Sequence, residues 1–368
     1  MNYFHGGNIY SASRKYRIKE ERIIDFSASI NPLGVSRKAK ATIRKAIKRL
    51  PNYPDPDVEA LRRLISIRYN ISPESILCGN GSTELIYLIP MAFKPHGVLI
   101  PQPTFSEYER ACQISSELRV MSYELKEEDG FKINPDEFIS LITHHSSLSF
   151  NMAFLCNPNN PTGHLLKKDE VMRLCSAAFE RNIMVVVDEA FIDFTPEESI
   201  IREASESRHV ICLRSFTKFY ALAGLRIGYA VTHADTAKHL KAFKEPWTVN
   251  TLAQKASIVS MKDKTYIKNT FEVIASEKEF LLKAIKKIDG LSPLPSSANF
   301  LLIRIEDERF NSTNLSEILA RRGMLVRDCA SFGIGNRYIR IAVKSHAHNA
   351  KLVKTLKGIF GETGFKDS

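Results

Sequence analysis

The segment RSFTKFYALAGLRIGY, residues 214–229, places Lys218 among groups that could share one chemical task. Ser215 and Thr217 come just before the lysine, and Arg226 follows it by eight residues. A lysine amine can form a covalent imine with an aldehyde, and the arginine fork can bind two phosphate oxygens. A charged residue on an ordinary loop needs no such neighbours, so the rest of the sequence must decide whether this chemistry is present.

Two further polar segments could complete a binding site. GNGSTELI, residues 79–86, places Ser82 and Thr83 at the start of a helix pattern. A helix N-terminus with free N–H groups binds phosphate, although many helices simply open with such a cap. NPNNPTG, residues 157–163, contains Asn160 just after an apolar run, where a plain β-turn is the alternative. Neither segment is specific by itself.

A carboxylate, Asp188, lies near the end of another apolar run, VVVDEAF. Such a residue either caps a helix or contacts a ligand, because open α/β sheets bind ligands beyond the carboxyl ends of their strands. In this order, the segments together match what pyridoxal phosphate (PLP) requires: an imine-forming lysine, a carboxylate for the ring nitrogen and several phosphate contacts. The combination therefore predicts a PLP enzyme.

The complete motif set resembles the fold-type I PLP-dependent aminotransferases over nearly the whole chain. The resemblance implies an α/β fold, with a large domain on a mostly parallel sheet and a smaller α+β C-terminal domain. It also implies that Lys218 forms the imine, that Asp188 pairs with the ring nitrogen, and that Asn160 contacts the ring 3′-oxygen and the substrate. The other implied cofactor contacts are the phosphate-side residues Ser82, Thr83, Ser215, Thr217 and Arg226, and the ring-stacking Phe105, with Tyr108 as second choice.

Tyr53, in the segment NYPDP, resembles the tyrosine that in this family reaches the cofactor phosphate of the neighbouring subunit. This match implies a homodimer whose active site is shared between the two chains. The alternative explanation for Tyr53 is an ordinary turn residue ahead of a helix.

The N-terminal segments HGGN, residues 5–8, and DFSASINPLG, residues 25–34, are similar to the arm of the threonine-phosphate decarboxylases. The segments DEAFIDF and PWTVN fit the same branch, which is close to the histidinol-phosphate aminotransferases. In that branch the arm folds over the active site. The match implies that His5, Gly6 and Asn31 contact the substrate, whereas an exposed or hydrogen-bonded histidine in a flexible terminus is the alternative for His5.

The segment LVRDCASFGIGNRYIRIAV, residues 325–343, contains arginines that could bind the anionic groups of a substrate. By resemblance, Arg340 pairs with the substrate carboxylate and Arg327 faces the substrate phosphate. Strand alternation places Tyr338 on the same face as Arg340 and Arg337 on the other face. Arg337 is therefore predicted to be a surface residue.

The decarboxylase resemblance implies removal of CO₂ from L-threonine O-3-phosphate, which gives (R)-1-aminopropan-2-yl phosphate for the cobalamin nucleotide loop. L-Serine O-phosphate stays an alternative substrate, because one methyl group changes binding by only ~1–3 kcal/mol. Histidinol-phosphate aminotransferase is the alternative activity, although that family is expected to lack the HGGN arm. Phe191 departs from the aminotransferase pattern, since those relatives tend to carry a tyrosine whose hydroxyl would reach the ring oxygen.

Alternating strand and helix patterns must position these groups. The apolar runs that predict strands lie at residues 97–101, 153–158, 183–191, 209–216 and 226–231. Helical periodicity between them, as at 167–181, favours a parallel sheet covered on both faces. We expect an irregular N-terminal arm over the active site at residues 1–35, a large PLP-binding domain at 36–250, and a small C-terminal domain at 251–368 with strands near 298–305 and 336–343.

Composition argues against several other classes of protein. The chain of 368 residues has a net charge of +11, which is densest at residues 37–49, where the pattern predicts an amphipathic helix. Neither a docking motif nor stacking aromatics accompany this helix, so no nucleic-acid partner is expected. No long apolar run and no signal-peptide core occur, so no membrane association is expected. Six scattered cysteines predict a reduced, cytoplasmic protein without a metal site.

Overall fold

A computed structural model describes residues 6–115, 119–144 and 150–361 of the chain. The helices are α1 (Ile9–Tyr16), α2 (Arg37–Ala46), α3 (Glu59–Tyr69), α4 (Gly81–Phe93), α5 (Glu107–Ser115), α6 (Pro135–His144), α7 (Lys168–Glu180), α8 (Ile201–Glu206), α9 (Ala234–Ala242), α10 (Thr251–Lys262), α11 (Lys264–Ile285), α12 (Ser312–Arg321) and α13 (His346–Gly361). The strands are β1 (Ile24–Asp25), β2 (Ile76–Gly79), β3 (Gly97–Gln102), β4 (Arg119–Glu124), β5 (Met152–Cys156), β6 (Met184–Asp188), β7 (Val210–Ser215), β8 (Gly228–Val231), β9 (Leu291–Pro293), β10 (Phe300–Ile305), β11 (Met324–Leu325), β12 (Arg327–Asp328) and β13 (Tyr338–Ala342).

The larger of two units comprises residues 34–160 and 164–267 and is built on a seven-stranded sheet among the described residues. The strand order is β2-β8-β7-β6-β5-β3-β4. The ladders that join β4, β3, β5, β6 and β7 are parallel, which confirms the predicted mostly parallel α/β sheet. Strand β8 instead runs antiparallel to β7 and β2, because residues 216–227 contain only a short 3₁₀ turn, whereas parallel strands need a longer crossover.

The central strands β5, β6 and β7 are buried along nearly their whole length, as expected for parallel strands covered on both faces. Helix α7 illustrates how a covering helix is specified, because its apolar residues recur at helical spacing and are buried: Val171, Leu174, Cys175 and Ala178. The burial of β6 and β7 matters for the site, since their carboxyl ends carry Asp188 and Ser215.

The smaller unit comprises residues 6–33, 161–163 and 268–361. Its four-stranded antiparallel sheet has the order β12-β13-β10-β9, and β1 pairs in parallel with β11. The predicted strands near 298–305 and 336–343 correspond to β10 and β13, in agreement with the α+β character expected for this part.

The N-terminal segment is more regular than its sequence indicates. Asn8 caps α1 by accepting a hydrogen bond from the backbone N–H of Ser11 at 2.9 Å, and residues 24–25 form β1. The expectation of irregular structure is therefore wrong for these residues. The physical reason is that α1 has eight residues and buries little more than Ala12, so it leaves almost no periodic apolar pattern to detect.

The division between the two units falls inside α11, between residues 267 and 268, whereas the sequence placed a domain boundary at residue 250. Helix α10, which the sequence patterns grouped with the small domain, packs against α2 of the larger unit. Residues up to 33 group with the smaller unit. The division thus follows long-range packing, which no local change in composition marks.

Candidate active site

The ends of two adjacent parallel strands carry the predicted catalytic residues. Asp188 is the last residue of β6, and Lys218 follows β7 by three positions. Strand pairing places Asp188 opposite Leu213 of β7. Lys218 is partly exposed, and its Nζ lies 5.7 Å from the centre of the buried Phe191 ring. The carboxyl ends of strands are where open α/β sheets bind ligands, so the structure brings these groups to the expected edge.

Asp188 is a buried carboxylate with two identified hydrogen-bond donors. The Tyr108 hydroxyl donates to Oδ2 at 2.7 Å, and the backbone N–H of Ala190 donates to Oδ1 at 2.9 Å. Burial raises the pKa of Asp188 to about 6, while these two hydrogen bonds and the charge of Lys218 act in the opposite direction. A carboxylate of this kind is suited to a cationic partner such as a protonated ring nitrogen.

The N-terminus of α4 and Arg226 form a site suited to an anion. Gly81, the first residue of α4, has a φ of +78°, and a Cβ on it would lie 2.6 Å from Nη2 of Arg226. The guanidinium therefore occupies space that any side chain at position 81 would fill. Ser82 and Thr83 follow in the first turn of the helix, where backbone N–H groups point outward. A helix N-terminus beside an arginine favours a phosphate group.

A hydroxyl pair lies on the other side of the lysine in sequence. The Ser215 and Thr217 hydroxyl oxygens are 2.8 Å apart, and the backbone N–H of Thr217 donates to Ser215 Oγ at 3.3 Å. Both residues are buried. With Arg226 and the start of α4, they would provide polar contacts for a cofactor phosphate, and Lys218 and Asp188 would provide the amine and the carboxylate. The residues present therefore fit PLP.

The two aromatic candidates occupy different positions. Phe105 is partly buried, whereas Tyr108 is 1% exposed and stacks on Phe154, with ring centres 5.1 Å apart. Phe105 meets the Tyr108 ring edge-on at 5.6 Å. Tyr108 thus presents its hydroxyl to Asp188 and packs its ring into the core. Phe105 is left as the side chain predicted to stack on a cofactor ring.

Asn160 follows β5 in a turn that side-chain amides hold in place. The Asn157 side chain bonds both backbone groups of Leu166, at 2.8 and 3.0 Å, and the Thr104 hydroxyl donates to Asn159 at 2.7 Å. These contacts hold Asn157 and Asn159 in place just ahead of Asn160. Asn160 itself is 9% exposed at the end of this turn.

Tyr53 differs from these groups because its side chain is largely exposed to solvent. Its side chain is 80% exposed, and its ring centre is 4.9 Å from that of Trp247, which is 47% exposed. This exposure is compatible with both explanations of Tyr53: an ordinary turn residue, or a residue that reaches the cofactor phosphate of a second subunit. Its assignment as a partner-side contact stays a prediction.

The smaller unit places the two predicted substrate arginines side by side. Arg327 of β12 and Arg340 of β13 are direct cross-strand partners, and both are buried. Arg340 donates from Nη2 to the Ser27 carbonyl at 2.8 Å, and Arg327 donates from Nη2 to the Ser331 hydroxyl at 2.8 Å. Burial lowers the pKa of Arg340 to about 10 and also lowers the pKa of Arg327.

The N-terminal segment contacts the same region of the smaller unit. A Cβ on Gly6 would lie 2.4 Å from the Ser27 carbonyl oxygen, so this close approach requires glycine. Gly6, Ser27, Arg327 and Ser331 line one cavity of about 910 Å³. His5 lies outside the described residues.

Three other polar residues of the smaller unit, Asn31, Arg337 and Lys344, are bonded to backbone or side-chain groups. Asn31 is buried; its Nδ2 donates to Thr270 at 2.8 Å, and its Oδ1 accepts from the Leu33 backbone at 3.0 Å. Arg337 is half-buried, with its guanidinium bonded to two backbone carbonyls, so it differs from a simple surface residue. Lys344, which follows β13 by two residues, donates from Nζ to the Ala28 carbonyl at 3.0 Å.

The part of the chain that the structure describes can also be compared with the requirements of metal sites, membrane-spanning helices and disulfide bonds. No group of three or more His, Cys, Asp or Glu side chains within residues 6–115, 119–144 and 150–361 is arranged to hold a metal ion. Over the same ranges, every helix is too short or too polar to cross a membrane. All six cysteines are buried free thiols.

Comparisons with known proteins place this architecture in a family. The model of aminotransferase class I and II matches residues 21–356. A threonine-phosphate decarboxylase of Salmonella typhimurium is 35% identical over 363 residues, which is 98% of this chain and 97% of the relative. The crystal structure of L-threonine-O-3-phosphate decarboxylase from Porphyromonas gingivalis is similar with a TM-score of 0.79, at 29% identity over 92% of this chain and 99% of that one.

The crystal structure of a histidinol-phosphate aminotransferase from Clostridium acetobutylicum is similar with a TM-score of 0.83, at 30% identity over 91% of this chain and 98% of that chain. Overall structural similarity therefore does not separate the two activities, and the site residues must do so. The family match covers most of the chain and both of its units. The chain belongs to the aminotransferase class I and II family.

Proposed function

We propose that this protein is a PLP-dependent carboxy-lyase that decarboxylates L-threonine O-3-phosphate to (R)-1-aminopropan-2-yl phosphate, for the cobalamin nucleotide loop. The observation that carries the proposal is the N-terminal contact in the smaller unit. Gly6 packs against the Ser27 carbonyl, and that carbonyl accepts the hydrogen bond from Arg340. The HGGN segment, which distinguishes the decarboxylases in the sequence argument, is thereby linked to the arginine proposed for the substrate carboxylate.

The cofactor residues of the larger unit have defined tasks in this proposal. When bound, PLP supplies an electron-accepting ring that weakens the bonds at the substrate α-carbon. Lys218 would hold the aldehyde carbon until the substrate amine takes its place there, and the amine freed in this exchange would be positioned to return a proton to the α-carbon after CO₂ has left. Asp188 holds a proton on the ring nitrogen, and Arg226 with the first turn of α4 binds the phosphate.

The substrate arginines decide which bond breaks. The bond held perpendicular to the ring plane is the labile one, so the anchoring of the substrate selects the reaction. We assign Arg340 to the carboxylate and Arg327 to the phosphate of threonine phosphate. The adjacent pair supports this, because two guanidiniums on neighbouring strands match the two anionic groups of one small substrate.

A paired assay tests the proposed function against its alternative. One arm measures CO₂ released from threonine phosphate, with serine phosphate in parallel; the other measures keto product from histidinol phosphate with 2-oxoglutarate. We expect CO₂ from threonine phosphate as the dominant product. Strong keto-product formation without CO₂ would establish the aminotransferase activity instead, and equal rates with serine phosphate would leave the methyl group unrecognised.

We also propose that the arm at residues 1–35 acts on the substrate and not on the cofactor. Deleting residues 1–8 removes His5 and Gly6, while the cofactor contacts of the larger unit stay in place. Decarboxylation should collapse, and absorbance of bound PLP should persist. Loss of PLP absorbance in the deleted protein would contradict this division of roles.

A homodimer with a shared active site is proposed from the exposure of Tyr53. A large aromatic side chain that is 80% exposed beside the exposed Trp247 gains by burial against a second copy. Mixing inactive Lys218→Ala chains with inactive Tyr53→Ala chains should restore activity in hybrid dimers. Hybrids that form but stay inactive would mean that each site is built from one chain.

A cytoplasmic location is proposed from the six cysteines, which are all buried free thiols.

A further inference from the structure

Tyr108 is a buried tyrosine whose ring packs against two other aromatic rings. It lies in α5 and is 1% exposed. Its ring stacks on Phe154 of β5 at 5.1 Å with planes 15° apart, and Phe105 closes its edge at 5.6 Å. Both contacts fix the ring, so the hydroxyl is directed at one point, 2.7 Å from Oδ2 of Asp188.

The protonation of this pair follows from its surroundings. Burial raises the pKa of Tyr108 well above its usual value, so the hydroxyl keeps its proton and donates to the carboxylate. Burial also raises the pKa of Asp188, to a net value of about 6 that already includes the opposing effect of the hydrogen bonds from Tyr108 and the Ala190 backbone. A hydrogen bond to the charged carboxylate lowers the pKa of Asp188. The bond from Tyr108 comes from a side-chain hydroxyl, so a substitution can remove it.

The other titratable groups near Asp188 cannot replace Tyr108. Lys218 favours the ionised carboxylate, but the proposed function commits its amine to the cofactor aldehyde. Glu189 raises the pKa of Asp188, because it adds a second negative charge. Cys156, the cross-strand neighbour of Asp188 on β5, has its own pKa raised to about 12 by burial, so its thiol is neutral.

We propose, on the basis of the proposed function, that Tyr108 is a positioning residue whose hydroxyl fixes the direction of the Asp188 carboxylate and keeps the negative charge on it. Tyr108 acts through Asp188 and does not touch the reacting atoms. The consequence is that a ring nitrogen meets an oriented partner that becomes charged at a lower pH than it would without the Tyr108 hydroxyl. This role differs from the ring stacking that the sequence assigned to Tyr108.

The test follows the Asp188 carboxyl carbon by ¹³C NMR in the cofactor-free full-length protein, with Asp188→Asn used to assign the signal. Tyr108→Phe removes one hydroxyl and keeps the stacked ring. Loss of a hydrogen bond to a charged group should raise the pKa of Asp188 by about 1. PLP should then bind about fivefold more weakly at pH 6, where the charged fraction falls, with little change at pH 8.

Tyr123→Phe is the matched control, since it removes a hydroxyl that donates to Glu137 at an exposed site, 3.0 Å away. It should leave the Asp188 titration unchanged. Coincident titrations of the wild type and Tyr108→Phe, or an equal shift in Tyr123→Phe, would overturn the proposal. Failure of PLP to bind the wild type would refute the proposed function instead, and the NMR titration would still decide the role of Tyr108.

A second measurement on the wild-type protein tests the proposal even if the Tyr108→Phe variant does not fold. In the wild type labelled at the tyrosine ζ carbons, the Tyr108 signal should move with the same midpoint as the Asp188 carboxyl, because the hydroxyl loses its charged acceptor there. A Tyr108 signal that stays constant through that midpoint would overturn the proposal without any substitution at Tyr108.

Discussion

The larger unit buries negatively charged side chains, the smaller unit buries positively charged ones, and the partners of these charges differ. In the larger unit, buried carboxylates receive donors from their own unit: Asp188 from Tyr108, and Glu189 from Arg214, whose Nη1 lies 3.2 Å from it. In the smaller unit, two buried guanidiniums, Arg327 and Arg340, face each other across adjacent strands. Like charges directly opposite each other in a sheet are destabilising. This arginine pair is the one to which the proposed function assigns the two anionic groups of the substrate.

Two neighbouring carboxylates of the larger unit, Glu189 and Asp188, also differ in their partners. Arg214 also donates to Ser199 at 3.0 Å and contacts Asp193, so the Glu189 side of β6 is a matched internal network. Asp188, one residue earlier, has neutral donors and a raised pKa of about 6. A buried carboxylate with neutral donors is suited to a cationic ligand, whereas one paired with arginine is already neutralised.

The largest expected effect tests this contrast between neighbours. Asp188→Asn should lower kcat by about 10³-fold, since it removes the charge partner of the ring nitrogen from a dry site. The unfolding curve should show that the variant is folded. The measurement is the single-turnover rate of CO₂ release with PLP saturating.

Glu189→Gln is the control for that substitution. It should cost about 3 kcal/mol of unfolding free energy, because Arg214 loses a buried partner, and leave the rate per folded molecule within about tenfold. A rate loss in Glu189→Gln as large as that in Asp188→Asn would mean that the two carboxylates are not functionally distinct.

The next effect belongs to the smaller unit. Arg340→Gln should lower kcat/KM for threonine phosphate by about 100-fold, because the substrate carboxylate loses a desolvated charged donor. Arg337→Gln is matched in chemistry and lies three positions earlier, with its guanidinium on the Phe310 and Glu306 carbonyls. It should change kcat/KM by less than about threefold. Equal losses in both variants would argue that β13 is disturbed as a whole.

The parts of the site that the sequence predicted are those that local motifs encode. Asp188 ends β6, Lys218 comes three residues after β7, and Arg226 lies between a short 3₁₀ turn and β8, so their neighbours in sequence indicate their environment. The Tyr108–Asp188 bond joins residues 80 positions apart, and the Arg340–Ser27 bond spans 313 positions. Such pairings depend on how elements pack, and no periodic pattern records them. Helix α1 escaped prediction for a different reason, because its eight residues bury little more than Ala12 and leave almost no periodic apolar pattern.

A third effect appears in the pH dependence of stability. Burial raises the pKa of Asp188 to about 6 in the folded, cofactor-free protein, from an ordinary value of 3.8. The folded state therefore binds this proton more tightly, so its stabilisation is complete below pH ~4 and is lost as the pH rises through ~6, by about 3 kcal/mol. The unfolding free energy of the wild type minus that of Asp188→Asn should fall over this range. A difference that is flat with pH would contradict the burial of an ionisable Asp188.

Arg340 of the smaller unit should contribute no comparable slope in that range. Burial lowers the pKa of Arg340 only to about 10, so the guanidinium stays charged from pH 4 to 7. The unfolding free energy of the wild type minus that of Arg340→Gln should therefore be constant with pH there. This pair of difference curves distinguishes the two units without any assay of activity.

The smallest expected effect concerns Phe191, the ring that lies 5.7 Å from Lys218 Nζ. Phe191→Tyr adds a hydroxyl at a position where, by resemblance, aminotransferases carry a donor to the ring 3′-oxygen. One neutral hydrogen bond contributes about 0.5–1.5 kcal/mol, so the Kd of PLP should fall by roughly two- to tenfold. KM for threonine phosphate should not change, because the substrate arginines belong to the other unit. Phe179→Tyr, at a side chain that is 61% exposed, is the control and should leave both constants unchanged. Weaker PLP binding in Phe191→Tyr would show that the new hydroxyl is buried without an acceptor and that this chain has no place for the aminotransferase contact.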